Sequence, residues 1–175
     1  ATLICLGLGY PFAYIMARKT SNIRRTMFML IMLPMWMNFL LRTYSWMTIL
    51  ENNGLLNRFL GIFGIGPFEM INTQGAVVLG MVYDYLPFMI VPLYTVMMKM
   101  DKSLVHAAED LGANPFQVFL HVILQQSLPG ISTGITMVFI PAISDFAIAE
   151  MLGGNTVLLI GNVIEMNFTK GNYYA

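Results

Sequence analysis

The sequence predicts an all-α membrane protein, and three observations carry that reading. Of its 175 residues, 57% are hydrophobic and only 10% charged, with a mean hydropathy of +0.69, whereas soluble domains carry roughly 25% charged residues. Four long apolar runs are separated by short connections that hold most of the charge. Proline recurs in or beside those runs (Pro11, Pro34, Pro87, Pro92, Pro129, Pro141). That pattern argues against helices in water, but membrane helices tolerate it because neighbouring groups satisfy the freed carbonyls.

A spanning helix needs about 20 mostly apolar residues. The first candidate is Ala1–Ala17, "ATLICLGLGYPFAYIMA". The second runs from Met27 to about Trp46 and is uncharged as far as Leu41. The third, Gly75–Met98, is interrupted only by Asp84. The fourth, from about Ser127 to Ala149, is uncharged up to Asp145. The chain starts without Met inside an apolar segment, and no basic stretch precedes that segment as a secretory signal requires. It is therefore expected to be a piece of a longer membrane protein.

Lys and Arg in the connections set the orientation. Arg18, Lys19, Arg24 and Arg25 lie in the first connection and Lys99 and Lys102 in the third. Arg42 and Arg58 flank or occupy the second, and Lys170 follows the fourth span. Six basic residues against three put the first and third connections in the cytoplasm. The net charge is zero, so no global field points to nucleic acid. Cys5 is a single cysteine in an apolar run and reads as a small buried hydrophobe. Met-rich stretches such as "MFMLIMLPMWM" read as packing. Gly130 and Gly134 have the small-xxx-small spacing that lets helix backbones approach closely.

The third connection, "DKSLVHAAEDLGANPFQVFLHVILQQ", stands out as polar and glycine-broken between two apolar runs. Ser103 is expected to cap a short helix, with His106 at the capping-box position. Ala107 and Ala108 favour helix and leave room for another protein to come near the backbone. Gly112 supplies a left-handed stop, and Asn114-Pro115 redirects the chain. Phe116, Phe119, Val122 and Ile123 then resume helical spacing toward the bilayer. A helix lying on lipid would be rich in Lys and Arg; Glu109 and Asp110 favour a protein-facing role instead.

"HAAEDLGANPFQVFLHVILQQSLPGI" resembles the cytoplasmic EAA loop of permease subunits of bacterial ABC importers. The family pattern is Glu-Ala-Ala, three residues, Gly, nine residues, Ile-x-Leu-Pro. The chain matches at Ala107, Ala108, Gly112 and Leu124, with Val122 in the Ile place; His106 replaces the usual Glu and Gln125 the usual Pro. "PMWMNFLLRTYSWMTILENNGLLN", "GAVVLGMVYDYLPFMIVPLYTVMMKMDKSL", "FIPAISDFAIAEMLGG" and "LLIGNVIE" extend the resemblance to the spermidine/putrescine permeases, closer to the subunit usually encoded first of the pair. The resemblance implies one permease domain over 1–175, a type I importer bundle lacking its first and last spans. Within it, 99–122 would form the coupling loop. His106, Ala107, Ala108, Glu109 and Gly112 would seat on a cytoplasmic ATP-binding subunit. A second permease subunit and an extracytoplasmic substrate-binding protein would complete the system in the bacterial inner membrane.

No GxxxxGK[ST] phosphate loop, HExxH or CxxC occurs, so no enzyme chemistry, metal or cofactor is implied, and energy for uphill transport must come from a partner chain. Polar residues inside the spans mark candidate solute paths, because burying them in lipid is costly. A polyamine needs carboxylates to offset its ammonium groups and aromatic faces for cation–π contact. Asp84 between Tyr83 and Tyr85, together with Trp36 and Asp145, has that chemistry. Alternatively, Asp84 accepts a hydrogen bond from a neighbouring helix and Asp145 is wet at the interface. Tyr44 and Trp46 read as an external aromatic belt, and Arg42 as snorkelling to the surface. Competing readings are a permease for sulfate or an iron complex, and a membrane subunit that binds an ATPase without transporting.

Overall fold

The computed structural model describes residues 1–64, 66, 68–154 and 160–169. Among these, every regular element is helical: α1 (Thr2–Arg18), α2 (Ser21–Met32), a 3-10 turn (Leu33–Trp36), α3 (Phe39–Leu50), α4 (Leu55–Ile62) and α5 (Gln74–Met98). There follow α6 (Lys102–Asp110), α7 (Pro115–Val118), a π-helical turn (Phe119–Ile123), α8 (Leu124–Ser144), α9 (Ala147–Gly153) and α10 (Ile160–Thr169). Lys170 and the closing "GNYYA" lie outside the described residues, as do the first two residues of "LLIGNVIE".

The fold is that of an all-α membrane protein. Two helical runs, α5 with 25 residues and Pro115–Ser144 with 30, are each long and apolar enough to cross a bilayer. The third expected span is thus observed to within one residue. α1 is apolar but has only 17 residues, or about 26 Å at 1.5 Å per residue.

The second expected span is not one helix. Met37 and Asn38 are extended (ψ 147° and 131°), and the stretch ending at Trp36 is bent by 94° from the one beginning at Phe39. Side chains supply the partners that a continuous helix would have provided. Asn38 Oδ1 accepts the Leu40 N–H at 2.9 Å and the Leu41 N–H at 3.5 Å, capping α3. The Pro34 carbonyl accepts from Arg42 Nη1 at 2.8 Å and from the Met37 N–H at 3.3 Å. The fourth expected span is displaced: helix begins at Pro115 and stops at Ser144, not Ala149. Asp145 Oδ1 accepts the Ile148 N–H at 3.1 Å, so its carboxylate opens a new helix, α9.

The chain forms two compact units, one of Met32–Asp84 and Ile140–Ala175 with Ala1, the other of Thr2–Ile31 and Tyr85–Phe139. In the first unit α3 packs on α9, where Ile148, Ala149 and Leu152 are buried. Asn57 braces the α4 connection: its amide donates to the Glu51 and Phe68 carbonyls and accepts the Phe68 N–H. In the second unit α8 lies against α5 through Gly130 and Gly134. A Cβ at Gly130 would come within 3.1 Å of the Pro92 carbonyl oxygen, and one at Gly134 within 2.7 Å of Met89 Sδ. The expected close approach is therefore realised, with Met89 filling the seam and Met16, Cys5 and Leu93 fully buried in the same unit. Ser127 Oγ donates to the Leu124 carbonyl at 2.8 Å, leaving Tyr10 OH to donate to Ser127 at 3.0 Å. Tyr10 and Tyr14 both meet Phe119 edge-on.

Candidate functional site

The first unit holds an intramembrane charge pair. Arg42 on α3 and Asp84 on α5 form an ion pair of 2.6 Å between Nε and Oδ1, with side chains 12% and 6% exposed. Arg42 is thus not snorkelling: its guanidinium divides between the Asp84 carboxylate and the Pro34 carbonyl, with the Phe39 ring 5.9 Å from Cζ. One helical turn further along α3, Trp46 packs edge-on against Tyr83, ring centroids 5.2 Å apart. Residues four apart on α3 therefore meet neighbouring residues on α5, which is the i,i+4 geometry of a helix face against a seam. Trp46 belongs to that seam, and Tyr44, 57% exposed, lies off it.

The residues read from the sequence as a solute path separate into two groups. Tyr83 and Asp84 line the seam, and Asp145 lies within electrostatic reach of Asp84. Tyr85 instead turns to Phe88 on its own helix, centroids 6.4 Å apart. Trp36 stands 90% exposed on the 3-10 turn, without an aromatic or ionic partner among the described residues. Asn38, another polar residue of the second run, caps a helix. Sequence reasoning missed Arg42 and Trp46 as seam residues. The available signal was the coincidence of one Arg and one Asp in neighbouring apolar runs, since intramembrane charges pair with one another.

The second unit carries the polar knuckle. Its cap is Asp101 and not Ser103: the Asp101 carboxylate accepts the Ser103 N–H at 2.9 Å, and hydrogen bonding from the Ser103 side chain, then from its backbone, holds the acid below its ordinary pKa. The helix ends in a Schellman motif. Gly112 (φ +82°) donates to the Glu109 carbonyl at 2.9 Å and Ala113 to the Ala108 carbonyl at 3.1 Å, a geometry that requires a left-handed residue. Asn114 then caps α7 in a reciprocal box with Gln117, each side chain accepting the other's backbone N–H at 2.9 Å. Helix, left-handed stop and new cap follow within five residues.

Two faces of α6 differ. Lys102, Val105, His106 and Glu109 share the side that lines a cavity, with His106 Nδ1 3.4 Å from Glu109 Oε2. On the opposite side lie Leu104, Ala107, Ala108 and Leu111, and the two leucines are 50% and 88% exposed. The five residues expected to couple to a motor are thus divided: Ala107 and Ala108 on the open apolar face, His106 and Glu109 on the cavity face, Gly112 at the turn. Leu104 and Leu111, at i,i+3 and i,i+4 from the alanines, complete an apolar stripe that the Ala-Ala-Gly pattern does not include.

A helical chain with two spans, a buried charge pair and an exposed polar knuckle between those spans defines a polytopic membrane protein. The chain belongs to the family of binding-protein-dependent transport system inner membrane components, whose model matches residues 9–174. It is 46% identical over 170 residues to the spermidine/putrescine transport system permease protein PotB of Haemophilus influenzae, covering 96% of this chain and 59% of that protein. It is 42% identical to PotB of Escherichia coli K12, covering 96% of this chain and 62% of the relative. The inner membrane ABC transporter permease protein YdcU of the same organism is 32% identical over 171 residues, 90% of this chain and 54% of the relative. The chain thus spans about three fifths of the length of the spermidine/putrescine relatives.

Proposed function

We propose that this chain is the membrane-spanning part of a permease subunit in an ATP-driven polyamine importer. A single permease domain, with 99–122 as its cytoplasmic coupling loop, would work with a separate ATP-binding chain, a second permease subunit and an external binding protein. The observation that carries the reading is the open α6 face (Leu104, Ala107, Ala108, Leu111) beside the Gly112 stop, in a chain 46% identical to a named spermidine/putrescine permease. Small and branched apolar residues at helical spacing suit docking into a groove of a partner. The rigid cap-stop-cap sequence suits transmission of force from that partner to α5 and α8.

For the solute, the Arg42–Asp84 seam supports a competition mechanism. In the paired state each charge neutralises the other. When the seam opens, Asp84 exchanges guanidinium for a substrate ammonium, with the Tyr83 and Trp46 rings offering faces for cation–π contact and methylene packing. Asp145, within electrostatic reach of Asp84, adds a second negative charge. The experiment compares spermidine and putrescine uptake by cells carrying Asp84→Asn alone and Arg42→Gln with Asp84→Asn, in the full-length protein with its partners. The double variant removes both charges together, so it is expected to reach the membrane at wild-type level yet lose most polyamine uptake. Uptake retained in the double variant would assign the pair a purely structural role, and competition by sulfate but not spermidine would assign another solute.

A further inference from the structure

The cavity bounded by one face of α6 has a volume of about 590 Å3, in the range of small-molecule sites, and its charges do not balance. Arg18, Lys19, Arg24 and Lys102 line it, against Asp101 and Glu109. Both acids are already engaged, Asp101 as the cap of α6 and Glu109 with His106. Among the described residues none of the four cations has a carboxylate partner. Arg18 lies with Cζ 4.3 Å over the Tyr14 ring, and among the described residues the half-buried Arg24 side chain donates only to Met98 Sδ at 3.3 Å, a weak acceptor for a group with five donors. Four cations against two engaged acids leave the lining of the cavity net positive, which favours an anionic ligand.

We propose that this cavity binds the phosphate headgroup of an anionic phospholipid. Two observations favour a lipid over a free phosphate. The cavity lies where two apolar helices end, α1 at Arg18 and α5 at Met98. Its lining also includes Met97, Met98 and Ile123, an apolar surface that suits a glycerol ester and not a bare ion. Basic pockets between membrane helices recognise acidic headgroups in this way. A bound headgroup would brace Lys102 and the His106 side of α6, steadying the helix whose other face is open. The inference does not depend on which solute is transported.

The test uses the full-length protein, purified with its partner chains into nanodiscs that contain both phosphatidylglycerol and phosphatidylcholine. Native mass spectrometry then reads the lipid retained. Wild-type protein should retain phosphatidylglycerol in preference, and Arg24→Gln with Lys102→Gln should lower that retention about fivefold for each charge removed, while Arg24→Lys keeps it. A photoreactive phosphatidylglycerol should label segment 97–102 in the wild type, which decides the matter even where the double variant fails to fold. Equal retention of the two lipids, or labelling confined to other segments, overturns the proposal. Displacement of the lipid by millimolar inorganic phosphate assigns the cavity to a soluble phosphate and overturns the lipid reading.

Discussion

The two places where charge gathers in this molecule are built in opposite ways. In the first unit Arg42 and Asp84 are buried and spend their charge on each other at 2.6 Å. In the second unit Arg18, Lys19, Arg24 and Lys102 line a cavity whose two acids, Asp101 and Glu109, are engaged elsewhere, so among the described residues none of the four is ion-paired. The difference follows the solvent. In a low-dielectric interior an unpaired ion is prohibitively costly, so any charge kept there arrives with its partner. At the membrane–water boundary water and headgroups screen the same groups, and cations can be left open for a ligand.

The sharpest way to break this contrast is to unpair the buried site. Asp84→Ala leaves the Arg42 guanidinium without its carboxylate and should destabilise the protein by about 3–5 kcal/mol, read as a lower melting temperature in detergent. Arg42→Met with Asp84→Leu should recover most of that loss. A double variant as unstable as Asp84→Ala would show that the pair does more than neutralise itself.

Next in size is the packing of α8 against α5 in the second unit. Gly134→Leu drives a side chain into Met89 and Pro92, where even a Cβ meets Met89 Sδ at 2.7 Å. Overpacking of this kind costs about 1–3 kcal/mol and should appear in the same melting assay, with Gly7→Leu, which has open space around it, nearly neutral. Gly112→Val places a β-branched residue at φ +82° and strains the turn by roughly 1–3 kcal/mol. Its main effect should be functional: the protein reaches the membrane, but ATP hydrolysis by the partner continues without matching uptake. Normal coupling in that variant would count heavily against α6 as the transmitting element.

Smaller effects come from the caps. Asn38→Ala should cost about 1 kcal/mol and loosen the start of α3, seen as faster amide exchange at Leu40 and Leu41. Asp101 gives the mildest prediction. Its folded pKa is depressed by hydrogen bonding from the Ser103 side chain and backbone, so its contribution is present above the unfolded carboxylate pKa and fades as pH falls through the lower folded value. Exchange at Ser103 should accelerate as the medium becomes strongly acidic. In Asp101→Asn, which caps without titrating, that acceleration should disappear.

Proline shows how far the sequence can be read. α5 carries Pro87 and Pro92 and still runs unbroken for 25 residues, within one residue of the expected span. Pro34 sits in a run just as apolar, yet the chain breaks three residues later. Local composition does not separate the two cases. What separates them is Asn38, whose side chain offers the next amides an alternative acceptor, and Arg42, which reaches back to the Pro34 carbonyl. Arg42 was misread for the same reason: a lone arginine near a span end looks like a snorkelling one until the helix carrying Asp84 is placed beside it. The left-handed stop at Gly112 was legible, because its signal lies within a few consecutive residues.

The sequence by itself determined that this chain is helical, lives in a bilayer and carries a polar knuckle between its third and fourth apolar runs. Those properties follow from composition, periodicity and local backbone preference. Tertiary structure alone decided which charges meet and which stay open, which face of α6 is free, and where a proline becomes a break. Each of these depends on residues tens of positions apart, and a side chain's role is fixed by the partner that the fold brings to it.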